Sequence, residues 1–183
     1  MKKNKLLVKI IVPILIAITL TFIWNLKTHP TPDGFDKGAS AESASTEGNP
    51  DFLLETTSID LGAWTEYNLP IIIDFGADSC IPCKEMAPVL KSLNGEMQGK
   101  AIIKFVDVWK NGDAAKDFPI QVIPTQVFIN ADGTPYVPSE EIGIEFTMYS
   151  TKDTNEHVFT VHQGGLTEDQ MRSILADMGV TDE

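Results

Sequence analysis

Cysteine is scarce in this 183-residue chain: there are two, Cys80 and Cys83. No network of structural disulfides can stand in for a hydrophobic core, and no other intramolecular disulfide competes with that pair. Histidine is nearly as rare, with three residues. His29 falls in a segment without apolar periodicity, and His157 and His162, five apart on an expected strand, point to opposite faces, so no metal site is expected. No solenoid-length repeat recurs, and collagen-like, mucin-like and coiled-coil biases are absent. Basic residues are few outside the first segment. Lys2, Lys3, Lys5, Lys9 and Lys27 precede any acid, which leaves nine basic against 26 acidic residues in the rest of the chain, a net −17. An acidic body repels phosphate backbones, so nucleic acid is excluded as an expected partner and proteins are favoured.

What the chain does have begins with a basic head followed by a nearly continuous apolar run from Leu6 to Leu26. At a helical rise of ~1.5 Å per residue that run reaches about 30 Å, the thickness of a bilayer's hydrocarbon. Lys9 can snorkel to the interface, Pro13 is a break that a membrane helix tolerates, and Trp24 suits the headgroup boundary. A cleaved secretory signal is the rival reading, but no small-residue cleavage motif follows the run closely; the first Ala-x-Ala is Ala39 to Ala41. An uncleaved single-pass anchor in the lipid bilayer is therefore expected. Its leading lysines place the N-terminus in the cytoplasm and the body outside the cell membrane.

The chain thus divides into a head and anchor over 1–27, a flexible Pro-, Gly-, Ser- and acid-rich linker over 28–50 and a folded domain over 51–183. The domain alternates strand and helix signals, which predicts an α/β fold. Strands are expected over Phe52–Ile59, Pro70–Phe75, Ala101–Val108 and Thr125–Asn130, the last closed by a turn at Ala131-Asp132-Gly133. Helices are expected over Leu61–Tyr67 with Trp64 inward, over Cys80–Gln98 with a bend at Pro88, and around Asp113–Phe118. Alternation through Ile142, Ile144, Phe146 and Met148, followed by a polar turn and His157–His162, predicts an antiparallel hairpin. A capping box at Thr167 to Gln170 opens a last helix with Met171, Ile174, Leu175 and Met178 on one face, and Gly179 ends it.

The chemistry concentrates in Cys80-Ile81-Pro82-Cys83, where a buried strand gives way to a helix. A helix N-terminus favours thiolate over thiol, so Cys80 is the expected attacking sulfur and Cys83, one turn in, the resolving thiol. A purely structural disulfide and a zinc site remain the alternatives at this point.

Ile73-Asp74-Phe75-Gly76-Ala77, then Cys80-Ile81-Pro82-Cys83-Lys84-Glu85-Met86-Ala87-Pro88, then Ile123-Pro124-Thr125 and Gly164-Gly165-Leu166, together resemble the thioredoxin family over about Asp51 to Val180. The resemblance implies a thioredoxin fold: a central mixed sheet flanked by helices, here with an extended hairpin insertion over about 134–156 before the last strand, and preceded by the single transmembrane helix. It implies that Asp74 is the buried acid that exchanges a proton with Cys83 and that Lys104 is the lysine beside that acid. Pro124 is implied to be a cis-proline facing the disulfide, with Ile123 free to pair with an extended substrate, and Ile81 and Pro82 complete the substrate-contacting surface. The only redox group implied is the Cys80–Cys83 disulfide, without an added cofactor. Two tryptophans common around the family's active site are replaced here by Gly76 and Ser79, which points to a different docking of substrates.

With Ile81-Pro82 between the thiols and no added positive group, Cys80 is expected to be moderately acidic and the couple fairly reducing, which favours a reductase of protein disulfides outside the cytoplasm. The resemblance to anchored family members implies a thiol-conducting membrane protein as electron donor. A disulfide-forming oxidase or isomerase, and a non-enzymatic interaction module on the same fold, are the alternatives. The anchor reading makes a direct prediction. The full-length protein stays in the membrane fraction through high-salt washing, and protease added outside intact cells or spheroplasts removes the body; release as a shortened soluble chain would contradict it.

Overall fold

The computed structural model describes residues 49–181; the expected anchor, most of the linker and residues 182–183 lie outside them. Among the described residues no helix is long and apolar enough to cross a membrane.

The run Ile71-Ile72-Ile73-Asp74-Phe75-Gly76 has no exposed position, and this is strand β1. A strand buried on both faces needs apolar residues at every step instead of alternate ones, and that is what its branched run supplies. Around it stand β2 (Ile102–Asp107), β3 (Thr125–Ile129), β4 (Thr147–Ser150) and β5 (His157–Gln163) in the spatial order β2-β1-β3-β5-β4. Only β1 and β2 run parallel; the β1–β3, β3–β5 and β5–β4 pairs are antiparallel, so the sheet is mixed as expected.

Helices α1 (Leu61–Thr65), α2 (Ile81–Glu96), α3 (Gly112–Ala115) and α4 (Glu168–Asp177) complete the domain. In α2, Cys83, Met86, Leu90 and Leu93 recur at helical spacing and are buried. Pro82 sits in the first turn, where its missing N–H costs nothing, while Pro88 lies inside the helix on its exposed side. The capping box of Thr167 and Gln170 opens α4. Beyond its end Gly179 takes φ +93°, a conformation glycine adopts without penalty.

The sheet separates two apolar clusters. On one side Ile72, Ile103 and Phe128 meet Met86, Leu90 and Leu93 of α2 and Met171, Ile174 and Leu175 of α4. On the other, Ile71, Ile73, Phe75, Ile102, Val106 and Val127 pack with Trp64 of α1.

Three expectations need correction. The segment Phe52–Ile59 is not a strand: a 3-10 turn spans Pro50–Phe52, and only Glu55 bridges to Phe105. Its apolar residues are drawn to opposite places, Phe52 and Ile59 to one cluster and Leu54 to the other, so no extended ladder forms. The hairpin after β3 exists, but its first strand starts at Thr147. Ile142, Ile144 and Phe146 pack irregularly onto the core, where Phe146 stands edge-on to Phe128 and Tyr136 at 5.5 and 5.7 Å between ring centroids. The insertion is thus held by aromatic packing, and it adds β4 as an outer strand beside β5.

The third correction concerns Lys104, which is not beside Asp74. It pairs in register with Ile73, one position earlier, and therefore projects from the opposite face. There its buried Nζ donates to Pro50 O at 3.1 Å and Leu53 O at 2.7 Å and lies 5.1 Å from the Trp64 ring centroid. Asp51 accepts from Trp64 Nε1 and Tyr67 OH nearby. Burial pushes the Lys104 ammonium below its ordinary range and Asp51 opposes that shift. The side chain staples the entering segment to the sheet. Lys104→Met keeps the stem and removes both charged hydrogen bonds, so it is expected to cost about 1.5–3 kcal/mol in urea unfolding. An unchanged midpoint would show that the staple contributes nothing.

Candidate active site

The site forms where β1 ends and α2 begins. Cys80 is the N-cap of α2 in extended conformation, and its Sγ accepts from the Cys83 N–H at 3.3 Å. The two sulfurs are joined in a disulfide with Cα atoms 5.3 Å apart. Helical geometry makes the pair unequal: Cys80, at the cap, is partly exposed, whereas Cys83 turns inward and is 4% exposed. Ile81 and Pro82 between them are exposed, Ile81 at 72%.

Across from the sulfurs the Ile123–Pro124 peptide is cis, and Ile123 O lies 3.9 Å from Cys80 Sγ. Pro124 is buried and its carbonyl accepts from the Gly164 N–H at 2.9 Å, which ties the loop before β3 to the turn before α4. Val122, next to Ile123, is half exposed, so Ile81 and Val122 present apolar surface on either side of the disulfide. From the insertion, Tyr149 OH accepts from Gln121 Nε2 at 3.1 Å, so outer strand β4 contacts this same loop.

Beneath the disulfide is Asp74, 1% exposed. Burial in the sheet penalises its charged form and pushes its carboxyl up to about 7, although a hydrogen bond from Gln126 pulls the other way. Gln126 Nε2 donates to Asp74 Oδ1 at 2.6 Å, while Asp74 Oδ2 has no hydrogen-bond partner. Gly76 explains what that oxygen faces. A Cβ placed there would stand 3.3 Å from Cys83 Sγ, 3.4 Å from Asp74 Oδ2 and only 2.8 Å from Phe105 Cε2. The resolving sulfur and the free carboxylate oxygen therefore border one small space, and the Phe105 ring occupies the room that a larger residue at 76 would need.

Two residues outside the expected set hold this arrangement. Gln126 is one; it stands in a wholly buried strand, where an amide is out of place unless it has a polar partner. The other is Asp107 at the end of β2. Its Oδ2 accepts from the Asp78 N–H in the active-site turn and its Oδ1 from the Trp109 and Lys110 N–H groups. Burial raises the Asp107 carboxyl, but those three donors and the Lys110 ammonium hold it below its ordinary range. Lys110 also pairs with Asp78 across the turn. An acid closing a strand next to the reactive turn was the only sequence signal for Asp107.

The structure thus brings together Cys80, Cys83, Ile81, Pro82, Ile123, Pro124 and Asp74, and leaves Lys104 on the far side of the sheet. Among the described residues the two histidines do other work: His157 Nε2 meets Thr160 Oγ1 at 2.8 Å and His162 Nδ1 meets Glu145 O at 2.8 Å.

The thioredoxin family model matches residues 64–143, which contain the whole disulfide turn. Thioredoxin 1 of Chlorobaculum tepidum is 48% identical over 56 residues, 31% of this chain and 55% of that protein. A thioredoxin of Staphylococcus epidermidis is 36% identical over 83 residues, 45% of this chain and 78% of that protein. The fold is similar to that of chloroplastic thioredoxin z, with a TM-score of 0.49 and 21% identity over 70% of this chain and 96% of that one. The chain spans 55% to 62% of the length of the first curated relatives it matches. An identity of 36% sustained over more than three quarters of a relative's length goes beyond shared architecture, and this chain belongs to the thioredoxin family.

Proposed function

We propose that this protein is a membrane-anchored, extracytoplasmic thiol-disulfide oxidoreductase that reduces protein disulfides. The observation that carries the reading is the inequality of the two sulfurs: Cys80 at the helix cap, open beside the cis-proline loop, and Cys83 buried above an acid with one free oxygen.

In the reduced protein the Cys80 thiolate, favoured by the N-terminus of α2, attacks one sulfur of a substrate disulfide. A Cys80–substrate disulfide forms and the first substrate thiolate leaves. Asp74, as carboxylate, takes the proton from the Cys83 thiol, and the resulting thiolate attacks Cys80 Sγ. The mixed disulfide breaks, the second substrate thiolate leaves, and the protein is left with the Cys80–Cys83 disulfide. Two electrons have passed to the substrate, whose sulfurs are protonated from water and from Asp74. A fresh pair of electrons must come from a dithiol donor; the apolar run in residues 6–26 and the basic head support a donor in the membrane that delivers them to the outer side.

The exposed apolar flanks at Ile81 and Val122 favour an extended polypeptide as substrate, with the Ile123 backbone pairing to its main chain. Nothing cationic lies between the cysteines, so thiolate stabilisation rests on the helix terminus and the couple is expected to be reducing. A measured reduction potential close to that of strong disulfide oxidants would reverse the direction of this proposal.

The decisive test is a pair of variants. Cys83→Ser should accumulate covalent, reductant-sensitive complexes with extracytoplasmic proteins, because the mixed disulfide loses its intramolecular exit. Cys80→Ser should trap little, its remaining sulfur being buried. Equal trapping would overturn Cys80 as nucleophile, and no trapping by either would overturn exchange chemistry.

Asp74 makes a second, pH-dependent prediction. Its carboxyl titrates near 7 in the folded protein against 3.8 ordinarily, so folding takes up a proton between those values and stability falls as pH rises from about 4 to about 7. Asp74→Asn should abolish that loss and be more stable than wild type above pH 7 by roughly 4 kcal/mol, with the difference vanishing near pH 4. The same variant should slow disulfide reduction near neutral pH, since Cys83 loses its proton acceptor. Urea unfolding across a pH series, alongside turnover, checks both; equal stability of the two proteins at pH 8 would mean that Asp74 is not held protonated by burial.

A further inference from the structure

We infer that Gln126 is a positioning residue for Asp74, fixing the buried carboxyl so that its unpartnered oxygen faces Cys83 and keeping it available as a proton acceptor. The inference rests on the reading of Asp74 just given and adds a residue to it.

Gln126 stands directly opposite Asp74 in the antiparallel β1–β3 register and is fully buried. Along β3 it is followed by the apolar Val127, Phe128 and Ile129, and its one polar neighbour, Thr125, has its hydroxyl paired with Val122 O at 2.7 Å. An amide at such a position carries a desolvation cost, and here part of that cost is not recovered: Gln126 Oε1 has no hydrogen-bond partner. Leucine or methionine would fill the site without that cost. What the amide does make is a short bond from Nε2 to Asp74 Oδ1, 2.6 Å, with Met86 Sδ at 3.3 Å from the same nitrogen. A buried carboxyl without a donor can turn about its last torsion. With Oδ1 engaged, the remaining oxygen is directed to the space over Gly76 that it shares with Cys83 Sγ.

The bond also has a sign. An N–H donated to a carboxyl favours the carboxylate, against the burial that disfavours it. Other groups near Asp74 are already committed or distant in role. Cys83 on α2 is the reaction partner. His162 lies opposite Gln126 in the β3–β5 register with its Nδ1 at Glu145 O. Asp107, opposite Gly76 on β2, is held by the N–H groups of its own turn and of Asp78. Glu55 beside Phe105, and Lys84 and Glu85 on α2, are exposed, and Lys104 is on the other face of the sheet. Gln126 is therefore the neighbour whose hydrogen bond reaches the carboxyl itself.

The test uses the full chain with Gln126→Met, which keeps the length and removes the donor, and Gln126→Leu as a second shape. Two readouts are taken across pH on proteins whose folding is checked by circular dichroism. One is the titration of the Asp74 carboxyl followed by carbon-13 NMR in the oxidised state; the other is the rate at which Cys83 resolves a mixed disulfide formed with a small model disulfide. Both variants are expected to move the Asp74 inflection upward by about one pH unit, and to slow resolution at pH 7 by roughly fivefold while approaching wild type at high pH. An inflection that stays in place in both variants would overturn the inference and leave Gln126 as a space-filling residue. Failure of the underlying reading looks different: Asp74→Asn would then show the wild-type pH profile of resolution, while the NMR titration would still decide whether Gln126 acts on Asp74.

Discussion

The structure depends on the complete burial of β1. Because Ile71, Ile72, Ile73 and Phe75 are withdrawn from water on both faces, Asp74 in their midst has no solvent to stabilise its charge. Its position at the centre of the sheet is also what makes it useful, since the carboxyl is held directly under the first turn of α2. The same strand therefore supplies the mechanical core of the domain and the perturbed acid beneath the disulfide. A strand with one wet face would have provided neither.

From that constraint the site is assembled by elements remote in sequence. The strand-to-helix turn delivers two sulfurs with different exposure; β2 contributes Phe105 and Asp107, the first filling space beside Gly76 and the second anchoring the backbone of the turn. Strand β3 brings the cis-proline loop to one side of the disulfide and Gln126 to the other side of Asp74. At Gly76 the Phe105 ring takes the room that a side chain would need, so the close approach of β2 to the turn depends on glycine there. The insertion, anchored by Phe146 and Tyr136, carries Tyr149 to the loop that precedes Pro124.

The energetics of Lys104 and Asp74, buried on opposite faces of the sheet, differ in kind. Lys104 gains two backbone carbonyls and an aromatic face, so its burial is compensated and its work is structural. Asp74 receives one hydrogen bond and retains a bare oxygen, so its burial is only partly compensated. An unsatisfied group in an otherwise closed core is where stability gives way to chemistry.

Much of this was legible in the residues alone. Continuous branched runs identify strands buried on both faces, the spacing of Met171, Ile174 and Leu175 identifies a helix face, and the capping box marks its start, because these are local consequences of period and hydrogen-bond geometry. The disulfide turn was legible as a short motif of chain neighbours, whereas the roles of Asp74 and Pro124 came only through the resemblance to the thioredoxin family. What the residues could not decide was which face of the sheet a given side chain takes when the strand is apolar throughout, since without alternation a one-residue change in register carries no visible penalty. The resemblance put Lys104 beside Asp74, but its register partner is Ile73 and it stands across the sheet, while Gln126, 52 positions from Asp74 in sequence, was not expected at all. Strand register sets which side chains meet, and register is settled only when the whole sheet packs.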